Sequence, residues 1–305
     1  FTSDVNGKQP TNQTLTWTSS DPSIVLINET TGEMKALAEG TVIITATTVS
    51  GAAANSAIKT ATCLVTVKAP VAEVKVGDYY YSDGTWGSNP RPSGKSVIGV
   101  IISDANAAGA DPIMMRDYPK CFNGLVLGLS ESSSAFGNYR IDGGWDNSLY
   151  DGTYGIVSYG AVLSDTAPTG YGLTLAYGNY RENIKSSSGY GESCILFDKD
   201  SGVAANYNNQ VATPSSASAW YVPSRFEMDA IYENKSVINT ALSAVSGTQI
   251  SNERYWSSYV YNKKLHDKNS TYHDCYAYPI DMSNGSWITN ANNTTSYKVR
   301  VILAF

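Results

Sequence analysis

The chain has 305 residues, 42% of them apolar, and a formal net charge of -6 at pH 7. That length predicts about two globular domains with ordinary cores, and the acidic balance, with no Lys/Arg run, argues against nucleic acid or an anionic membrane as the main partner. No apolar run approaches the roughly 20 residues of a spanning helix, and Phe1-Thr2-Ser3-Asp4 is no signal peptide, so the start at Phe1 reads as removal of an upstream segment, compatible with secretion.

Residues 1–70 read as short strands separated by turns. Leu15-Thr16-Trp17 precedes the turn cluster Ser19-Ser20-Asp21-Pro22, Ile24 to Ile27 is apolar, Asn28 to Gly32 turns again, and Thr41 to Ala46 resumes a strand. Val42, Ile44 and Ala46 alternate with Thr41, Ile43 and Thr45, the pattern of a sandwich strand with one face in a core. Cys63, Val65 and Val67 share one face of the next strand, so Cys63 reads as a buried, inert thiol. The series Leu15 to Asp21, Thr31 to Thr41, Ile44-Thr45-Ala46 and the Cys63 strand resembles the group 2 bacterial immunoglobulin-like domain. That resemblance implies a small all-β sandwich, commonly a spacer in bacterial surface proteins. The first strand of that family is shortened or absent before Phe1, either cleaved or disordered. If cleaved, the open edge could accept a strand from a neighbouring subunit. Lys68-Ala69-Pro70-Val71-Ala72 marks a linker.

Residues 71–305 are rich in Gly, Tyr and Ser. Val76 to Trp86 predicts a hairpin turning at Ser82-Asp83-Gly84, Ser96 to Ile102 a buried strand, and Gly124 to Leu129 another. Between Ser130 and Pro214 Gly, Asn and Tyr are dispersed and long loops are expected. Ser224 with Glu227 three positions on predicts a capped helix, and a second helical piece follows over Val237 to Val245. The order of Gly77 to Trp86, Trp220 to Glu227, Tyr255-Trp256-Ser257-Ser258, Tyr276 to Gly285 and Val299 to Phe305 resembles the C-type-lectin-fold domains of gut Bacteroidales surface proteins and the wider formylglycine-generating-enzyme-like branch. The implied fold class is an N-terminal all-β immunoglobulin-like sandwich followed by an α+β C-type-lectin-like domain.

The chemistry favours recognition over catalysis. No Gly-x-Ser-x-Gly elbow, P-loop or His-Glu-x-x-His motif occurs, and Cys63, Cys121, Cys194 and Cys275 are too dispersed for a zinc site. Within the second domain Cys121, Cys194 and Cys275 allow one bridge at most, with the pairing open. Formylglycine-generating activity depends on paired active-site cysteines in a C-terminal setting that these do not match. Asp198-Lys199-Asp200-Ser201-Gly202 is half of a calcium loop and reads as a polar turn. Trp145-Asp146-Asn147 scrambles the Trp-Asn-Asp pattern of calcium lectins. No cofactor and no metal are expected. Tyr79, Tyr80, Tyr81, Trp86, Trp220 and Trp256 are assigned to packing and Glu227 to the helix cap.

From Tyr259 to Tyr297, 25 of 39 residues are Asn, Asp, Ser, Thr, Tyr or His, a composition that suits a contact surface better than a core because Tyr supplies stiff contact area and Asn, Ser and Asp adaptable hydrogen bonds. The candidate ligand-binding residues are Tyr259, Tyr261, Asn262, His266, Asp267, Asn269, Tyr272, His273, Asp274, Trp287, Asn290 and Asn292. Tyr259, Tyr261, Asn262, His266, Asp267, Asn269, His273, Asp274, Asn290, Asn292 and Asn293 also resemble the variable regions of C-type lectin folds diversified by retroelement-driven adenine mutagenesis. The expectation is a non-enzymatic adhesin, cell-surface (outer membrane-anchored or fimbrial) or secreted. Its partner is a host or bacterial surface glycan or protein, and the alternatives are a pilus subunit assembled by strand complementation and a formylglycine-generating-type enzyme.

Overall fold

The computed structural model describes residues 14–49, 58–67, 73–137, 169–184, 194–262, 275–289 and 291–305, with no side-chain description for 180, 183, 184, 260–262, 275 and 276. The linker at 68–72, Trp145-Asp146-Asn147 and the Cys275 thiol therefore lie outside the described residues. The chain divides into two compact units, Phe1–Val71 and Ala72–Phe305.

In the first unit β1 (Leu15–Ser19), β4 (Gly40–Thr48) and β5 (Thr60–Val67) form one antiparallel sheet in the order β1-β4-β5, and β2 (Val25–Ile27) pairs with β3 (Met34–Ala36) in a second. Val42 and Ile44 point inward with Val25, and Trp17, Ile24, Ile27, Val65 and Val67 pack around them, as the alternation predicts. Gly32 adopts φ +74°, and a Cβ there would stand 2.7 Å from the Trp17 indole, so the turn and the ring require glycine together. Cys63 corrects the expectation of a buried thiol. It lies opposite Ile44 on the same face, yet it is exposed. Among the described residues the core ends at Val65, and Cys63 lies beyond it on a strand at the end of the described sheet.

The second unit is organised around a five-stranded sheet in the order β15-β9-β8-β6-β7, from β6 (Tyr79–Tyr81), β7 (Trp86–Gly87), β8 (Val97–Ser103), β9 (Leu125–Gly128) and β15 (Ile302–Ala304). Its strands read as unbroken apolar runs because both faces are covered. Tyr80, Ile101, Val126 and Leu303 enter one core, while Tyr79, Tyr81, Val100, Ile102, Leu125, Leu127, Ile302 and Ala304 enter the other. The hairpin β6–β7 turns at the predicted residues with Gly84 at φ +85°.

Among the described residues six helices complete the layers: α1 (Ala107–Ala110), α2 (Pro112–Asp117), α3 (Gly170–Ile184), α4 (Val203–Gln210), α5 (Arg225–Glu233) and α6 (Lys235–Ala244). Met228 and Ile231 of α5 and Ile238, Ala241 and Leu242 of α6 cover one face; Leu173, Ala176 and Tyr177 of α3 and Tyr207 of α4 cover the other. A second sheet, in the order β10-β14-β11-β12-β13, contains β10 (Ser132–Ala135), β11 (Arg254–Asn262), β12 (Cys275–Asp281), β13 (Ser286–Trp287) and β14 (Ser296–Val299). Tyr255 and Trp256 are fully buried on its opposite sides, which ties it to both cores. The five aromatic residues Tyr79, Tyr80, Tyr81, Trp220 and Trp256 are buried as expected; Trp86 is half-buried and meets Phe305 edge-on at 5.0 Å.

Candidate functional site

The polar segment begins where the ladder between β11 and β12 breaks. Trp256 lies opposite Pro279, and regular pairing resumes only at Val260 opposite Ala277, so Ser257, Ser258 and Tyr259 bulge from the sheet. Pro279 has no N–H to give the ladder, so the interruption is written into β12. Ser257 Oγ donates to the Tyr278 carbonyl at 2.6 Å and accepts the Tyr259 N–H at 3.2 Å, and the Ser258 N–H reaches across to the Pro223 carbonyl at 2.7 Å. The two serines thus anchor the bulge, and β11 continues past it to Tyr261 and Asn262, which pair through the backbone with Tyr276 and Cys275.

Tyr259 is 7% exposed and meets Tyr278 edge-on at 5.5 Å, so in this arrangement its ring packs. Trp287 is half-buried. Its indole N–H donates to Asp229 Oδ1 at 2.8 Å, and the Arg225 guanidinium stands 5.3 Å from the ring centre. Arg225 and Asp229 are one turn apart on α5, so the helix grips this indole from above and at its edge. Sequence reading had not connected these two residues to Trp287; the only signal is their spacing of four, which is common to any charged helix face. Asn292 is exposed and its Oδ1 accepts the N–H and hydroxyl of Thr294 at 3.0 and 2.8 Å, an Asx turn. Asn293 is 5% exposed and accepts the Ala277 N–H, joining this turn to β12. His266, Asp267, Asn269, Tyr272, His273, Asp274 and Asn290 lie outside the described residues, as do the side chains of Tyr261 and Asn262.

Other candidate chemistry is occupied by the fold. Oxygens of Glu182, Asp198 and Asp200 lie within 4.8 Å of one another. However, Asp198 Oδ1 already accepts from the N–H groups of Asp200 and Ser201 and the Ser201 hydroxyl, and Oδ2 from Arg181 Nε at 3.0 Å. Burial raises the Asp198 pKa, but the bond from Arg181 and the turn N–H groups outweigh it and hold the carboxyl at about 2. Residues 198–202 are a polar turn, as read from sequence. Glu227 is wholly buried; Oε2 accepts the Ser224 N–H at 2.6 Å and Oε1 the Tyr221 hydroxyl at 2.8 Å, completing the expected capping box. Cys121 and Cys194 are free, buried thiols with pKa values pushed up by burial to about 11 and about 12, the opposite of an activated thiolate. Among the described residues no helix is long and apolar enough to cross a membrane.

Comparison with known proteins adds three findings. Residues 1–60 match the bacterial Ig-like domain (group 2), so the N-terminal resemblance holds. An alignment of 271 positions, covering 76% of the chain, is 26% identical to a Bacteroides ovatus protein named as fimbrium tip subunit Fim1C and covers 46% of that protein; the chain thus spans about half the length of this relative. A 57-residue stretch, 19% of the chain, is 47% identical to an Ig-like virion protein of Serratia phage KSP90, covering 20% of it. Among solved structures, a fimbrial protein from Bacteroides ovatus superimposes with a TM-score of 0.57 over 99% of this chain and 68% of its own at 17% identity, a likeness of fold.

Proposed function

We propose that this protein is a fimbrial surface subunit of the tip type, in which the immunoglobulin-like unit is a spacer and the second unit a non-enzymatic, C-type-lectin-like binding head. The observation that carries the reading is the similarity to a fimbrium tip subunit over three quarters of the chain. The head binds a surface glycan or protein through the polar segment from Tyr259 to Tyr297, which begins at the β11 bulge. Tyr261, Asn262, Tyr272 and Asn292 are the first residues to test, together with the buttressed Trp287. The buried, protonated state of Cys121 and Cys194 supports a binding head rather than a thiol-dependent enzyme.

A repeated shaft subunit joined by strand complementation is the second reading. Its support is β5, which among the described residues lies at the end of its sheet and carries Leu64, 68% exposed, opposite Ile43, 46% exposed. Immunogold microscopy of fimbriated cells separates the two, because a tip subunit labels fibre ends and a repeated subunit labels the shaft. In parallel, a Tyr261→Ala/Tyr272→Ala variant is expected to lose most of its binding on glycan and cell-surface-protein arrays while keeping wild-type thermal stability. Wild-type binding by the variant would place the contact face elsewhere.

A further inference from the structure

A cavity of about 200 Å³ lies in the second unit between α3, the 3-10 turn Ile195–Phe197, α4 and the segment Ala219–Tyr221. Its aromatic walls cannot fold inward. Tyr171 is locked edge-on to Tyr221 at 5.8 Å, Phe197 to Phe136 at 5.2 Å, and Trp220 to Tyr207 at 4.9 Å. The lining includes the small residues Ala204, Ala205 and Ala219, and a larger side chain at these positions would take up part of the volume, so the space follows from these residues rather than from loose packing.

The polar side chains of the wall have already spent their hydrogen bonds. Asn208 donates to the Ala204 and Trp220 carbonyls and accepts the Trp220 N–H. The Thr174 hydroxyl donates to the Val222 carbonyl and accepts its N–H. The Trp220 indole N–H goes to Val211, and the hydroxyls of Tyr171 and Tyr221 go to Asp117 and Glu227. Both Asp198 oxygens are taken by Arg181 and the following turn. Lys199 alone is uncommitted, and its stem runs along Gly178, 3.4 Å from where a Cβ would stand, while the residue is exposed; it adds apolar wall and keeps its ammonium in water.

A sugar brought into this space would strip its hydroxyls of water against side chains whose hydrogen bonds are mostly made within the wall, an unfavourable exchange. An uncharged ring loses nothing on entry and gains contact with locked aromatic edges. Apolar cavities of this general size take up benzene-sized molecules, and this one is open to solvent on one side, which gives a ligand a way in. We propose that this cavity is a binding site for a small, uncharged aromatic molecule of benzene to indole size. The site uses none of the residues assigned to the adhesive face and stands whether or not that assignment does.

Saturation-transfer NMR on the full chain, with indole and p-cresol as probes and glucose and N-acetylglucosamine as contrasts, tests it. Indole and p-cresol are expected to bind with submillimolar affinity and to show intermolecular NOEs to the methyl groups of Leu175 and Leu196, while the two sugars do not bind. Ala205→Phe, which places a ring in the space, is expected to weaken indole by about tenfold or more. Absence of saturation transfer from both aromatics at millimolar concentration, NOEs to methyls elsewhere, or sugars binding as well as indole would overturn the proposal. The NOEs on the unmodified chain decide it even if Ala205→Phe fails to fold.

Discussion

Glu227 shows how one residue can serve the fold at an electrostatic cost. Its carboxyl closes the capping box of α5 and receives the Tyr221 hydroxyl, yet burial, with a smaller contribution from the negative charge of Asp111, raises its pKa from 4.5 to about 7. Hydrogen bonds from Ser224 and Tyr221 favour the ionised form and are outweighed. The folded state therefore holds this proton more tightly than the unfolded chain. The resulting stabilisation is complete below pH 4.5 and is lost as pH rises through about 7. Asp111, which caps α2 and receives the Gly172 N–H, is raised by burial to about 6 and acts with the same sign. Glu227→Gln keeps an acceptor for Ser224 and presents an amide to Tyr221 without a charge. It is expected to flatten the fall in stability between pH 4.5 and 7 seen by urea titration, and to gain on the order of 2 kcal/mol over wild type at pH 8. An unchanged pH profile would mean that Glu227 is ionised in the folded protein.

At the scale of the element, α3 is the case in which tertiary contacts overrule propensity. Gly170-Tyr171-Gly172 and Tyr177-Gly178 are poor helix formers, and the sequence reading placed loops here. The helix forms because its first turn is received by groups from distant parts of the chain. Asp111 Oδ2 accepts the Gly172 N–H at 2.7 Å, and Gly170 lies so close to the α5 cap that a Cβ would stand 2.3 Å from Glu227 Oε2 and 2.7 Å from the Ser224 nitrogen and the Val222 carbonyl. Two of those three atoms are backbone and cannot swing aside. Gly170→Ala, favourable by propensity, is thus expected to destabilise the second unit by about 1–3 kcal/mol. Chemical denaturation read by circular dichroism checks the sign, and a stabilised variant would show that the first turn has room. The helices α5 and α6, by contrast, carry their own signals: a capping box and apolar residues at helical spacing.

At the scale of the whole molecule the two units differ in what they bury. The first surrounds Val25, Val42 and Ile44 with partly covered neighbours and leaves Leu26, Met34, Leu37, Ile43, Val49, Ile58 and Leu64 exposed by 41–68%. The second has two extensive cores on opposite faces of one sheet. Small domains with little buried area are marginal, so heating is expected to unfold the chain in two steps, with the immunoglobulin-like unit first. Trp17 is the only tryptophan before residue 72. A Trp17→Phe variant should therefore lose the fluorescence change of the first step and keep that of the second. A single transition common to both proteins would show that the units unfold together. The exposed apolar side chains of the first unit agree with a domain whose surface is covered in an assembly.

What the sequence determined by itself is the part of the fold that rests on local rules. Period-two alternation located β4 and its buried face, Gly84 and Gly32 marked turns that need positive φ, and Ser224 with Glu227 marked the start of α5, since each depends on residues within a few positions of one another. The proposed contact segment was likewise legible as a composition, and the break at Pro279 explains the bulge at which it begins. Only the tertiary structure decided which of its residues pack: Tyr259 is turned against Tyr278, and Trp287 is held by Arg225 and Asp229 from a helix nearly sixty residues earlier in the chain. It also decided that Cys63 is exposed, that α3 is a helix, and that an aromatic-walled cavity exists beside it. Each of these depends on groups brought together from distant positions, and burial or cavity volume is a property of the space between elements, which no window along the chain contains.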